Sequence, residues 1–129
     1  MPLLNKIHHV AVICSNYGVS KHFYTEVLGL EIIHEEYREH RQSYKLDLLV
    51  GKDAQIELFS FPNPPPRVSR PEASGLRHLA FEVDDVPAVL ETLAAGGVHT
   101  EEVRLDEITG KRFAFFFDPD GLPLEIYEP

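Results

Sequence analysis

Apolar and polar positions alternate in two short runs that each carry histidine: Ile7-His8-His9-Val10-Ala11-Val12-Ile13 and Leu76-Arg77-His78-Leu79-Ala80-Phe81-Glu82-Val83. A period of two over seven or eight residues predicts half-buried strands. Each run is followed by a polar cap and a helical stripe. In the first half Ser15 or Asn16 caps, Val19, Phe23 and Val27 recur at helical spacing, and Gly29 stops the helix. In the second, Asp84 or Asp85 caps, Val86, Val89, Leu90 and Leu93 form the stripe, and Gly96 ends it. Three further strands follow each helix, at about 30–37, 43–50 and 54–61, then 98–105, 111–117 and 123–128. Asp118-Pro119-Asp120-Gly121 is a turn signal before the last of them.

The chain therefore reads as an α+β repeat of two βαβββ modules in a single domain. Module one covers about 6–61 and module two about 76–128, joined by a proline-rich linker over 62–75 that holds Pro62, Pro64, Pro65, Pro66 and Pro71. The offset from His9 to His78 is 69 residues and from Glu57 to Glu125 it is 68. The His-to-Glu interval is 48 residues in the first half and 47 in the second. Such internal periodicity is the mark of a repeat.

Strand parity sets the candidate chemistry. His9 shares a face with Ala11 and Ile13, and Glu57 with Gln55 and Phe59. His78 falls with Ala80 and Glu82, and Glu125 with Tyr127. Each strand has a bulky aliphatic face for a helix and a second face with one His or Glu. A sheet curved around that second face gathers His9, Glu57, His78 and Glu125. Carboxylates and imidazoles on a half-buried strand face are costly unless partnered, and a divalent cation takes carboxylate oxygen and neutral imidazole nitrogen alike as ligands. Two imidazoles and two carboxylates leave coordination positions open, as in a catalytic site. Taken singly, a strand His or Glu is more often an ordinary polar residue; the repeat and the shared parity favour ligands. A one-residue slip would exchange His9 for His8, but the repeat aligns His8 with Arg77, which cannot ligate. His22, His34, His40 and His99 are explained by solvent exposure.

Composition narrows the classes. Lys and Arg number 12 against 21 Asp and Glu, a net charge of −9, with 43% apolar residues. That balance opposes nucleic-acid and anionic-membrane binding, which need a basic face. The lone Cys14 forms no internal disulfide and reads as a small buried hydrophobe. No long apolar stretch suggests a signal or a span, so a cytoplasmic protein is expected.

The segments Ile7-His8-His9-Val10-Ala11-Val12, Phe23-Tyr24-Thr25-Glu26-Val27-Leu28-Gly29-Leu30, Ile56-Glu57-Leu58 and Asp118-Pro119-Asp120-Gly121-Leu122-Pro123-Leu124-Glu125-Ile126 resemble the vicinal oxygen chelate (VOC) superfamily. Within it the chain is similar to glyoxalase I-like (lactoylglutathione lyase-like) proteins, in particular a bacterial YaeR-like subfamily. The resemblance implies eight strands in an open, barrel-like arrangement around one divalent metal, its ligands falling on His9, Glu57, His78 and Glu125. The metal is any of nickel, zinc, cobalt, manganese or iron(II). It also implies proton transfer by a carboxylate ligand, Glu125 by position, with Glu57 as the alternative. A homodimer acting on a small molecule is expected.

Two positions depart from the glyoxalase I pattern that this chain resembles. Ile13 stands where an Arg holds glutathione, and Phe61 stands where an Asn does. Arg67, Arg70 and Arg77 around the linker, with Arg38, Arg41, Lys45, Lys111 and Arg112 near strand ends, favour an anionic substrate if they cluster at the cavity mouth. Phe59, Phe61, Phe113, Phe115 and Tyr127 are candidates for its lining or for core packing. Related reactions on such a scaffold are extradiol ring cleavage, acyl-thioester epimerisation and thiol transfer to an antibiotic; a non-catalytic drug-binding protein is the alternative class. The intact Glu57 weighs against these three reactions, and the presence of all four ligand-type residues against the binding protein.

Overall fold

The computed structural model describes residues 1–129. The elements run β1 (His9–Cys14), α1 (Tyr17–His22), β2 (Glu31–Arg38), β3 (Ser43–Val50) and β4 (Ala54–Ser60), then β5 (Leu79–Glu82), α2 (Val86–Ala95), β6 (Arg104–Leu105), β7 (Arg112–Phe117) and β8 (Pro123–Tyr127). The chain divides into two compact units, Met1–Pro66 and Arg67–Pro129, within the proline-rich stretch. No helix is long and apolar enough to cross a membrane.

Each unit holds a four-stranded mixed sheet of the same topology, β1-β4-β3-β2 in the first and β5-β8-β7-β6 in the second. The βαβββ repeat is thus present, with an α+β architecture. The first and last strands of each module pair in parallel, β1 with β4 and β5 with β8; the other neighbours are antiparallel. Alternation decides which face is buried. Val12, Cys14, Leu46, Leu48, Ile56 and Leu58 form the core of the first unit with Phe23 and Tyr24. Ala114, Phe116, Leu124 and Ile126 do so in the second with Val86 and Leu93 of α2. Cys14 is buried, and its thiol donates to the Phe59 carbonyl at 3.3 Å.

The predicted caps form: the Asn16 side chain accepts from the Val19 N–H at 3.2 Å and Asp85 from the Ala88 N–H at 3.0 Å. The helical stripe Val19-Phe23-Val27 is not one continuous α-helix. After His22 the backbone widens into a π-helical turn over Phe23–Val27, where the Leu28 N–H donates to the Phe23 carbonyl. The Thr25 hydroxyl donates to the Lys21 carbonyl at 2.6 Å, competing for the acceptor an α-helix would use there. Gly29 then turns the chain with φ of +74°.

Strand ends also differ from the alternation pattern. β5 begins at Leu79, which pairs with Leu124, because the next residue on β8 is Pro123 and has no N–H for the ladder. The strand expected over 98–105 is reduced to Arg104–Leu105 and an isolated bridge between Thr100 and Phe116. Thr100 is opposite Phe116 but Arg104 is opposite Phe113, so the register slips by one residue and the ladder breaks between them.

The Asp118-Pro119-Asp120-Gly121 turn carries a stability prediction. Asp118 is buried and its Oδ1 accepts from the N–H groups of Asp120 and Leu122, both at 2.9 Å. Asp118→Ala leaves both donors without that acceptor and is expected to cost about 1–3 kcal/mol. Urea unfolding checks this; an unchanged midpoint would show that water replaces the carboxylate.

Candidate functional site

In the first unit the parallel register pairs Ala11 of β1 with Glu57 of β4 and His9 with Gln55. Ala11 is small, so the His9 ring reaches along the same face toward Glu57, with Nε2 at 3.5 Å from Oε2. Glu57 is largely buried and His9 more open, at 15% and 41% side-chain exposure. The His9 Nδ1 is 2.9 Å from Nδ1 of His8, so one ring must donate to the other. If His9 donates, its Nε2 carries the lone pair toward Glu57, which is the tautomer a metal ligand needs.

The second unit repeats this plan. Ala80 of β5 pairs with Glu125 of β8, and His78, just ahead of β5, places Nε2 at 4.0 Å from Glu125 Oε1. The Phe115 ring meets His78 edge-on at 5.1 Å and limits its rotation. Nη1 of Arg77 is 3.5 Å from Nδ1 of His78, at the limit of a hydrogen bond.

Sequence reading did not single out Asp47 and gave Lys45 only as a strand-end charge. Asp47 of β3 is the register partner of Glu57, and Lys45 donates to Asp47 at 2.6 Å while sitting 4.0 Å from Glu57. The equivalent position in the second unit is Phe115, the partner of Glu125. Parity applied to β3 would have found both, since Lys45 and Asp47 share the face opposite Leu46 and Leu48.

The structure thus brings His9 to Glu57 and His78 to Glu125. No three or more His, Cys, Asp or Glu side chains meet at one point. Two ligands about 2.1 Å from one cation lie roughly 3.0–3.5 Å apart at ordinary angles. The first pair has that spacing and the second needs a small rotamer adjustment. Nitrogen and carboxylate oxygen together suit a borderline divalent ion, so the residues present fit such a group. His22, His34, His40 and His99 lie outside both pairs and are exposed.

Of the candidate aromatics, Phe115 lines a pocket in the second unit together with Phe117. Phe59 and Phe61 stack on each other in the first unit, with Arg38 over Phe59 and Arg41 over Phe61. Phe113 stacks on Tyr127, whose hydroxyl donates to Asp106 at 2.8 Å. Arg67, Arg70 and Arg77 line the same pocket as Phe115. Lys111 and Arg112 lie elsewhere, bonded to the Pro129 carbonyl and to Glu128.

The family model described as Glyoxalase/Bleomycin resistance protein/Dioxygenase superfamily matches residues 6–126. YwkD of Bacillus subtilis (strain 168) is 58% identical and covers 98% of both chains. YaeR of Escherichia coli (strain K12) is 55% identical over 97% of both. A 2-epi-5-epi-valiolone epimerase from an Actinomyces species is 31% identical, covering 93% of this chain and 77% of its own. A probable lactoylglutathione lyase of Vibrio cholerae is 28% identical, covering 96% and 91%. The crystal structure of a glyoxalase family protein from Enterococcus faecalis superposes with a TM-score of 0.91 at 47% identity, covering 98% of this chain and 100% of that one.

Proposed function

The chain belongs to the Glyoxalase/Bleomycin resistance protein/Dioxygenase superfamily, and from that premise we propose that it is a divalent-metal-dependent enzyme moving a proton on a small, oxygen-chelating, anionic substrate. The observation that carries this reading is the repeated pairing of one imidazole Nε2 with one carboxylate oxygen, at 3.5 Å and 4.0 Å. His9, Glu57, His78 and Glu125 are the residues that would hold the ion. A divalent cation so held supplies Lewis-acid stabilisation of negative charge developing on a substrate oxygen.

The chain's own groups do the rest. With the ion held, His9 Nδ1 would donate to His8, which would fix the ring that faces Glu57. Glu57 already has the Lys45 ammonium beside it, whereas Glu125 has only His78 within ion-pair range. Glu125 is therefore the carboxylate that takes the proton from the substrate and returns it to a neighbouring position. The epimerase and lyase names of two relatives are in keeping with proton movement at carbon.

Metal analysis of the purified protein tests the site. One divalent ion per four ligands is expected, falling at least about tenfold in His78→Ala and Glu125→Ala. Unchanged stoichiometry in both variants would refute the site and leave two simple ion pairs. A chelator should also lower the melting temperature of metal-loaded protein. At a metal concentration of 100 Kd the ion contributes about 2.7 kcal/mol, and two carboxylates lose their counter-ion on its removal.

A further inference from the structure

The proline-rich stretch does more than connect the units. Residues from Arg67 to Ala73 wall one side of a pocket of about 290 Å³ that lies wholly within the second unit. Arg67 donates to the Leu76 carbonyl at 2.8 Å, to the Arg77 carbonyl at 3.0 Å and to the Ser69 hydroxyl at 3.0 Å. That single side chain clips the stretch to the residues entering β5, so the wall is held in place by backbone contacts.

Four guanidiniums line this small space: Arg67, Arg70, Arg77 and Arg104. Two are matched by carboxylates. Arg77 pairs with Glu72, holding that carboxyl below its usual range, and Arg104 pairs with Glu101 at 2.8 Å. Arg67 spends its bonds on neutral carbonyls and a hydroxyl, and Arg70 is exposed with no ion pair or hydrogen bond. Two positive charges therefore go unmatched within one pocket of a chain whose net charge is −9. Phe115, Phe117 and Pro123 add apolar surface to the lining, with Phe115 under the Arg104 guanidinium at 5.7 Å. His78, half of the second His–Glu pair, also lines the pocket.

We infer that this pocket is the subsite for the carboxylate or phosphate group of the substrate, with its carbon skeleton against the phenylalanines and its reacting end toward His78 and Glu125. Planar guanidiniums bind such oxyanions with two parallel hydrogen bonds, and their charge concentrates small anions in a cleft with low-dielectric walls. At about 290 Å³ the pocket is at the small end of ligand sites, which matches a small metabolite. The inference rests on the proposed function for the reacting end only; the anion grip is a property of the arginines.

Titration of inorganic phosphate, and separately of malonate, into the full-length ¹⁵N-labelled protein at constant ionic strength tests it, once in EDTA and once with the cation bound. Saturable amide shifts are expected at Ser69, Arg70, Arg77, His78 and Arg104 with at least one anion. Arg70→Gln, an exposed side chain that makes no hydrogen bond or ion pair, should weaken that binding about tenfold, and Lys52→Gln on the first unit should leave it unchanged. Tighter binding of phosphate assigns a phosphate group and tighter binding of malonate a carboxylate; either supports the subsite. No saturable shift at these residues with either anion, or equal weakening by the two substitutions, overturns it. Pocket shifts in EDTA from a protein that binds no metal would keep the subsite and retire the metal reading. Metal binding without pocket shifts would do the reverse.

Discussion

Glu125→Gln protein is expected to keep its fold and lose about 10²–10⁴ of its proton-transfer rate, the usual contribution of a positioned general base. The amide has the same shape as the carboxylate and still offers an oxygen, but it cannot take a proton at neutral pH. The assay is deuterium incorporation from solvent into a panel of small 2-oxo and 2-hydroxy acids, followed by NMR with metal-loaded protein. Glu57→Gln should cost less, because Glu57 is paired with Lys45 at 4.0 Å as well as with His9. A full loss in Glu57→Gln with little change in Glu125→Gln would transfer the base role to Glu57. Unaltered incorporation in both would remove the carboxylates from the chemistry.

The second large effect concerns glutathione. Ile13 is 54% exposed on β1, on the His9 face, and offers no donor where the glyoxalase I pattern has an arginine. Phe61 stacks on Phe59 at 5.9 Å where that pattern has an asparagine. A hydrogen bond to a charged group is worth roughly 1.5–3 kcal/mol, so losing two weakens recognition by a few powers of ten. Catalytic efficiency on the methylglyoxal–glutathione hemithioacetal is expected to fall well below about 10⁶ M⁻¹s⁻¹, within the general enzyme range. Efficiency at or above that level would mean that other groups grip glutathione, with Arg41 over the Phe61 ring the first to test.

Much of this arrangement was legible along the chain because strands report their faces by parity. Val12, Leu58, Leu124 and Ile126 on one parity are buried; on the other, His9 and Glu57 share a face of the first sheet, and Glu125 takes the matching parity in the second. The repeat offsets favour His9 over His8, which parity alone does not do. What the sequence concealed depends on contacts between segments. The π-helical turn arises from the Thr25 hydroxyl meeting the Lys21 carbonyl, a competition that helical spacing does not encode. The broken strand before β7 follows from a one-residue slip against its partner. Asp47 is set across from Glu57 by the register of β3, which the sequence alone does not show. The arginines of the proline-rich stretch became a pocket wall only through Arg67's bonds to the Leu76 and Arg77 carbonyls.

Two unmatched guanidiniums inside an acidic chain have a consequence for what reaches them. Beyond a Debye length, about 8 Å at physiological ionic strength, the field of the net charge of −9 is screened for a small solute. A metabolite with one or two charges therefore approaches almost freely and, once in the pocket, meets four arginines against two carboxylates, Glu72 and Glu101. A long polyanion spans many Debye lengths and meets the carboxylates along the whole surface at once, so it is turned away before any part of it reaches the pocket. The acidic surface and the basic pocket together sort anions by size, without a lid.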